Sequence, residues 1–164
     1  MPLFHTHEIA LRRNNIDIRR RGVMARVHFG NLGRKLDFAQ LAMDTQAWQD
    51  VQRYMPISSG QLISETNVLN ATVLGSGKVY VYPPNSAYGH YQHEGIVYKD
   101  PVYNVGGFYN TQTGQWWSRR GISKVPSTQL LTYSQPNAHR YWGQYAIDHH
   151  KDEWIRVFKR AMRS

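Results

Sequence analysis

The stretch LGRKLDFAQLAMDTQAWQDVQRYMP, running from Leu32 to Pro56, holds the clearest helix of this chain. Leu41, Thr45, Trp48, Val51 and Met55 recur at three- and four-residue spacing, with Phe38 and Gln52 on neighbouring rows. That period places them on one face of an α-helix, as a packing stripe. Asp37 is a possible cap, and the helical pattern reaches back toward Gly33. Pro56 stops the helix and pushes Met55 out of helical geometry.

Upstream, Val23 to Phe29 alternates, with Val23, Ala25, Val27 and Phe29 on one face; this is the period of a strand, ended by Gly30 and Asn31. Before it, Leu11 to Gly22 carries Arg12, Arg13, Arg19, Arg20 and Arg21, with only Ile16 and Ile18 as apolar anchors. Residues 1–22 therefore read as a basic arm that orders on a partner, or as a strand edge whose arginines discourage pairing. Residues 23–164 form a single domain.

Downstream, Pro56 to Leu62 is a turn in which Gly60 permits positive φ. Val68 to Leu74 and Lys78 to Tyr82 alternate around Gly75-Ser76-Gly77, which predicts a hairpin. The octet Tyr88-Gly-His-Tyr-Gln-His-Glu-Gly95 follows. Tyr88 and Tyr91 share one face of a short turn there, and Gly95 reverses the chain. Ile96-Val97-Tyr98 and a Pro101 break come next, and Phe108-Tyr109 and Gln115-Trp116-Trp117 are short strands around the Asn110 to Gly114 turn. Ser118 to Pro126 is a basic loop with Arg119, Arg120 and Lys124, and Leu130 to Ser134 is extended. From His139 to Arg163 the pattern is helical again, with Trp154, Ile155, Phe158 and Met162 on the apolar side. The fold class is α+β: a small antiparallel sheet packed by a long helix from the N-terminal half, with a second helix at the C-terminus.

With 164 residues, 41% of them hydrophobic, the chain can bury a real core. The absence of cysteine excludes disulfides, thiolate zinc sites and cysteine nucleophiles. A net charge of +9 favours an acidic partner, and 13% aromatic residues suit interfaces as well as cores. Met1 to Ala10, with His5, His7 and Glu8, does not read as a signal peptide, and no run approaches the roughly 18 apolar residues of a membrane span. The expectation is a soluble, unexported protein without membrane contact.

His90, His93, Glu94, His149 and His150 are the obvious metal candidates, and a metal-dependent hydrolase built on His90 and His93 is one reading. Against it, Val97 stands where the second histidine of H-E-x-x-H belongs, and Gly89 and Gly95 bracket the pair. No paired carboxylates, G-x-S-x-G or complete P-loop supports catalysis; Gly75-Ser76-Gly77-Lys78 lacks the rest of that motif. The expectation is therefore no catalytic residues, no metal and no cofactor. A basic nucleic-acid-binding protein without enzymatic activity is the stronger alternative, with the arginine arm, Arg119-Arg120 and stacking by Trp116 or Trp117, although no RNP, KH or zinc-finger signature is present.

Three ordered segments carry a family likeness. These are Tyr54-Met55-Pro56 followed by Ser58-Ser59-Gly60-Gln61-Leu62; the Tyr88 to Gly95 octet; and Leu131-Thr132-Tyr133-Ser134 followed by Tyr141-Trp142 and His149-His150-Lys151-Asp152-Glu153-Trp154. Together they resemble the minor capsid proteins of long-tailed bacteriophages (siphophages) and the broader family of phage neck and tail-completion proteins. The resemblance covers about Val23 to Arg163 and leaves the arginine arm outside. It implies a structural virion protein of the head–tail junction, made in the host cytoplasm. Such proteins form homo-oligomeric rings around the DNA channel, between adaptor or stopper connector proteins and the tail terminator or tail tube, with dsDNA passing through. The family offers no catalytic residues to transfer. Candidate subunit or partner contacts are Tyr88, Tyr91, His93, Glu94, Tyr98, Trp116, Trp117 and Tyr133. Candidates facing DNA or an acidic partner are Arg12, Arg13, Arg19, Arg20, Arg21, Arg119, Arg120 and Lys124.

Overall fold

A computed structural model describes residues 3–5, 15–20, 23–28 and 31–164, the first three segments by their backbone alone. Strands β1 (Leu3–His5), β2 (Asn15–Arg20) and β3 (Val23–His28) precede helix α1 (Leu32–Gln52). Helix α2 (Gln61–Val73), strand β4 (Lys78–Tyr80), helix α3 (Ala87–Glu94) and strand β5 (Ile96–Lys99) follow. Strands β6 (Phe108–Asn110), β7 (Gln115–Trp117) and β8 (Val125–Leu130) lead to helix α4 (Trp142–Arg163). The protein is α+β, and among the described residues its antiparallel pairing is divided among four two-stranded ladders: β1 with β4, β2 with β3, β5 with β8, and β6 with β7. Residues 15–20 of the expected arm are thus the partner strand of β3, with Asn15 opposite His28 and Arg20 opposite Val23. Arg12, Arg13 and Arg21 lie outside the described residues.

The long helices α1 and α4 form the scaffold. Trp154 donates its indole N–H to Asp50 at 2.9 Å, and Tyr54 shares a 2.7 Å hydrogen bond with His150, so the two helices run antiparallel. Between them and β4 lies the core: Ala47, Trp48, Val51 and Met55 from the α1 side, Leu62 from α2, Val79, Val81 and Tyr82, and Trp142, Ala146 and Trp154 from α4. Trp142 donates to the Val81 carbonyl at 2.9 Å. Gly143 brings α4 so close that an added Cβ would stand 2.6 Å from Val81.

Helix α1 and the turn that ends it bury Trp48, Val51 and Met55 of the expected face, but the N-terminal half of the helix departs from it. Leu41 and Phe38 are exposed, while Gln40, Asp44 and Asp50 are buried. The cause is polar: Asp44 accepts hydrogen bonds from the Gly75 and Gly77 amides at 2.8 and 3.0 Å and from Gln40 at 2.7 Å. A carboxylate required inside turns the helix toward its own row.

The expected hairpin at 68–82 is overturned. Val68 to Val73 belongs to α2, which starts at Gly60 in a left-handed conformation (φ 78°) and buries Leu62, Thr66 and Asn70. Its register is held by long-range bonds: the Asn70 amide donates to the Tyr80 carbonyl and accepts from the Tyr80 N–H, occupying the place of a partner strand beside β4. The true ladder partner of β4 is β1, with Phe4 opposite Val79. Likewise, the octet is no mere turn. Ser86 caps α3 through Gly89 N–H at 2.9 Å, and Gly89 is required because a Cβ there would meet Tyr82 Cβ at 2.9 Å. The extended segment expected at 130–134 lies instead at Val125–Leu130, as β8; of the expected residues only Leu130 belongs to it. Among the described residues no helix is long and apolar enough to cross a membrane.

Candidate functional site: a tyrosine-walled groove

Helix α3 ends on Gly95, whose φ of 67° reverses the chain directly into β5. This reversal sets Tyr91 of α3 against Tyr98 of β5 as a stacked pair, 4.1 Å between ring centroids. The chain after β8 returns along the same place, with the Leu131 N–H bonded to the Gly95 carbonyl at 2.9 Å. It brings in Tyr133. The result is a cleft of about 550 Å³ walled by Tyr88, Tyr91, Tyr98 and Tyr133, with aliphatic side chains including Ile57 and Leu131, and among the described residues Lys124 is the single charged side chain lining it. Four segments far apart in sequence converge there.

Two of the four phenol hydroxyls are tied back into the chain. Tyr98 donates to Glu94 at 2.6 Å, and Tyr133 donates to the Gln92 carbonyl at 2.6 Å. The hydrogen bond to Glu94, aided by burial, pushes the Tyr98 phenol up to about 12. Burial likewise raises Tyr133, with Arg140 opposing. Both stay neutral donors, and their rings are held as walls. The rim is tied by Gln135, whose amide both accepts from the Ile57 N–H at 3.1 Å and donates to the Ile57 carbonyl. The groove therefore offers ring surfaces, aliphatic contact and one ammonium, a lining suited to an apolar segment of another protein.

Beside the groove stands an apolar knob. Val102, Tyr103 and Val105 are 69%, 65% and 54% exposed. Buried Asp100 holds the loop by accepting from the Val102 and Tyr103 amides at 2.8 and 3.2 Å, and Asp100 N–H bonds to the Val105 carbonyl at 2.8 Å. Arg119 closes on the same carboxylate and lies over the Tyr103 ring at 4.9 Å. The knob escaped the sequence reading, although Pro101 and Gly106-Gly107 around three apolar residues were its signal.

Of the contact residues expected from sequence, Tyr88, Tyr91, Tyr98 and Tyr133 come together, with Glu94 behind them. His93 does not. It is buried in edge contact with Trp142 at 4.7 Å, and burial, reinforced by His90, lowers its pKa to about 4. It is a neutral core residue. Trp117 is exposed on the β6–β7 hairpin, away from the groove lining; the Trp116 side chain lies outside the described residues. Among the cations, Arg119 is spent on Asp100 within the chain, Lys124 lines the groove and Arg120 is exposed. Arg19 and Arg20 sit on β2.

The metal candidates separate into two places. His90 lies 3.4 Å from Glu94, whereas His150 pairs with Tyr54 and His149 stacks on Tyr145 at 4.0 Å. Among the described residues no group of three or more His, Asp or Glu converges as a ligand set.

No protein-family model, curated protein or solved structure matches the chain.

Proposed function

We propose that this chain is a structural virion protein of a tailed bacteriophage, working by assembly at the head–tail junction. In this reading it forms part of a ring around the DNA channel and joins head to tail, with connector proteins on one side and tail-terminator or tail-tube proteins on the other.

One observation carries the reading: an apolar surface that the described residues leave exposed. The groove walls and the knob at Val102, Tyr103 and Val105 are fixed by partly buried hydrogen bonds, and large hydrophobic residues continue along the same half of the chain at Ile122, Val125 and Leu130. Soluble monomers rarely leave contiguous surface of this kind open, and rigid aromatic anchors with aliphatic neighbours are what interfaces use. A knob and a groove on one subunit also supply the two unlike surfaces that a ring contact needs. The likeness of the Tyr54 to Leu62, Tyr88 to Gly95 and Leu131 to Trp154 segments to phage neck and minor capsid proteins supplies the biological setting.

The test is location. Antibody-labelled virions, purified from a phage that encodes the protein, should carry label at the neck. Purified virions free of the protein would end this reading.

A further inference from the structure

We infer that the exposed face of the last two turns of α4, carrying Arg156, Lys159, Arg160 and Arg163, is a contact surface for the phosphate backbone of duplex DNA. The inference deepens the proposed role and rests on it for the identity of the polyanion. It also moves the contact, which the sequence reading placed on the arginine arm (Arg12, Arg13, Arg19, Arg20 and Arg21) together with Arg119, Arg120 and Lys124.

All four side chains are exposed, while Trp154 and Ala161 on the other side of the same turns are buried. The spacing i, i+3, i+4, i+7 makes one row, about 10 Å long at 1.5 Å per residue. The acidic residues of α4, Asp148, Asp152 and Glu153, all precede it, and none follows. Arg156 pairs with Glu153 at 2.7 Å, whereas Lys159, Arg160 and Arg163 have no ion-pair partner among the described residues.

Cations at a helix C-terminus are stabilised by the helix dipole, which alone accounts for Arg160 and Arg163. It does not account for α1. That helix starts with Arg34 and Lys35 and has no acidic residue in its first turn, an arrangement the dipole disfavours. Because α1 and α4 run antiparallel, the start of α1 and the end of α4 lie toward the same end of the pair. Asp37 is the single acidic residue in the first three turns of α1. Positive charge thus accumulates at one end from two helices, against local helix preference in one of them. A polyanion docked there supplies what the helices lack. Meanwhile the Arg119 guanidinium, bidentate on Asp100, is not available to phosphate.

The test uses the full chain and a 30-base-pair duplex of arbitrary sequence, read by fluorescence anisotropy across a salt series. Each phosphate contact contributes roughly 0.9 to the slope of log K against log salt. The triple variant Lys159→Gln/Arg160→Gln/Arg163→Gln should lose about 2 to 3 units of slope and at least about tenfold in affinity at low salt. Arg120→Gln/Lys124→Gln should lose neither. In parallel, duplex should protect Lys159 but not Lys124 from amine acetylation in the wild-type protein, a readout independent of any variant's folding. No duplex binding at 50 mM salt (about the lower end of the range where such contacts are read), an unchanged slope in the folded triple variant, equal loss in the control, or an unprotected Lys159 would each overturn the assignment. A protein that joins heads to tails without binding duplex removes this surface and leaves the joining role standing.

Discussion

Asp100 grips the Arg119 guanidinium through both carboxylate oxygens, Nε to Oδ2 at 2.8 Å and Nη2 to Oδ1 at 2.9 Å. The same carboxylate holds two backbone amides of the knob, so one side chain joins the 100–107 loop to the basic loop at 118–121. An arginine that looks like a free cation in the sequence is a clamp in the fold.

Arg119→Gln should therefore loosen the knob without unfolding the protein. Arg119→Lys should not restore it, because an ammonium cannot make the bidentate contact. Amide hydrogen exchange over residues 101–106 should quicken in both variants. The same clamp has an acid limit. Burial raises the Asp100 carboxyl, but the Val102 and Tyr103 amides and Arg119 outweigh it and hold its pKa below the ordinary 3.8. A carboxylate depressed in the folded state stabilises above its unfolded pKa and loses that contribution only as pH falls through the folded value. Protection of the loop should persist at pH 5 (roughly a unit above the ordinary carboxylate range) and fail below 3.8.

His93 gives a slope of the same sign in a higher pH window. Its pKa falls from 6.5 in the unfolded chain to about 4 in the fold, so the unfolded state binds more protons between those values. Stability should decline as pH drops from 6.5 to about 4 and gain nothing further from this group below that. His93→Phe should flatten that part of the profile, measured by urea unfolding at successive pH values.

Gly95→Val should be among the most damaging single substitutions. The position has φ 67°, and a Cβ would stand 2.7 Å from Arg140 Cβ and 3.0 Å from the Tyr133 hydroxyl. Strain and clash together cost about 2 to 4 kcal/mol, a fall in Tm of roughly 5 to 15 °C for a chain of this size. His93→Ala, which empties a buried site, should cost about 2 to 4 kcal/mol as well. The two should be comparable in stability; Gly95→Val should additionally displace Tyr133 and deform the groove.

Asp44→Ala should destabilise through the backbone. It leaves the Gly75 and Gly77 amides without their acceptor, at about 1 to 3 kcal/mol each. Thermal melting should show a loss that Asp44→Asn recovers in part.

The sequence revealed elements whose signal is local. Trp48, Val51 and Met55 repeat at helical spacing, and Trp154 and Phe158 do the same near the C-terminus, so α1 and α4 were legible. The turn at Asn110 to Gly114 marked β6 and β7. Where a distant group decides, the reading failed. Val68 to Val73 alternates like a strand, but Thr66 and Asn70 are drawn into a helix by burial and by the Tyr80 backbone. Gly89 looked like a helix breaker, yet it is the contact residue that lets α3 lie on Tyr82. Within the site, Tyr88, Tyr91, Tyr98 and Tyr133 were legible as amphipathic surface residues. The inward position of His93 and the Arg119–Asp100 clamp were not, because both depend on tertiary partners, Tyr82 and Trp142 for His93 and Asp100 for Arg119.

Val102→Asp and Tyr88→Ala alter exposed side chains of the knob and groove, so each variant should fold like the parent, within about 0.5 kcal/mol. The decisive measurement is complementation of a phage deleted for this protein, with electron microscopy of the lysate. The deletion should leave filled heads and free tails side by side. Wild-type protein should restore joined particles, and soluble, folded Val102→Asp protein should not. Joined, infectious virions in the deletion lysate, or full rescue by both interface variants, would contradict the account.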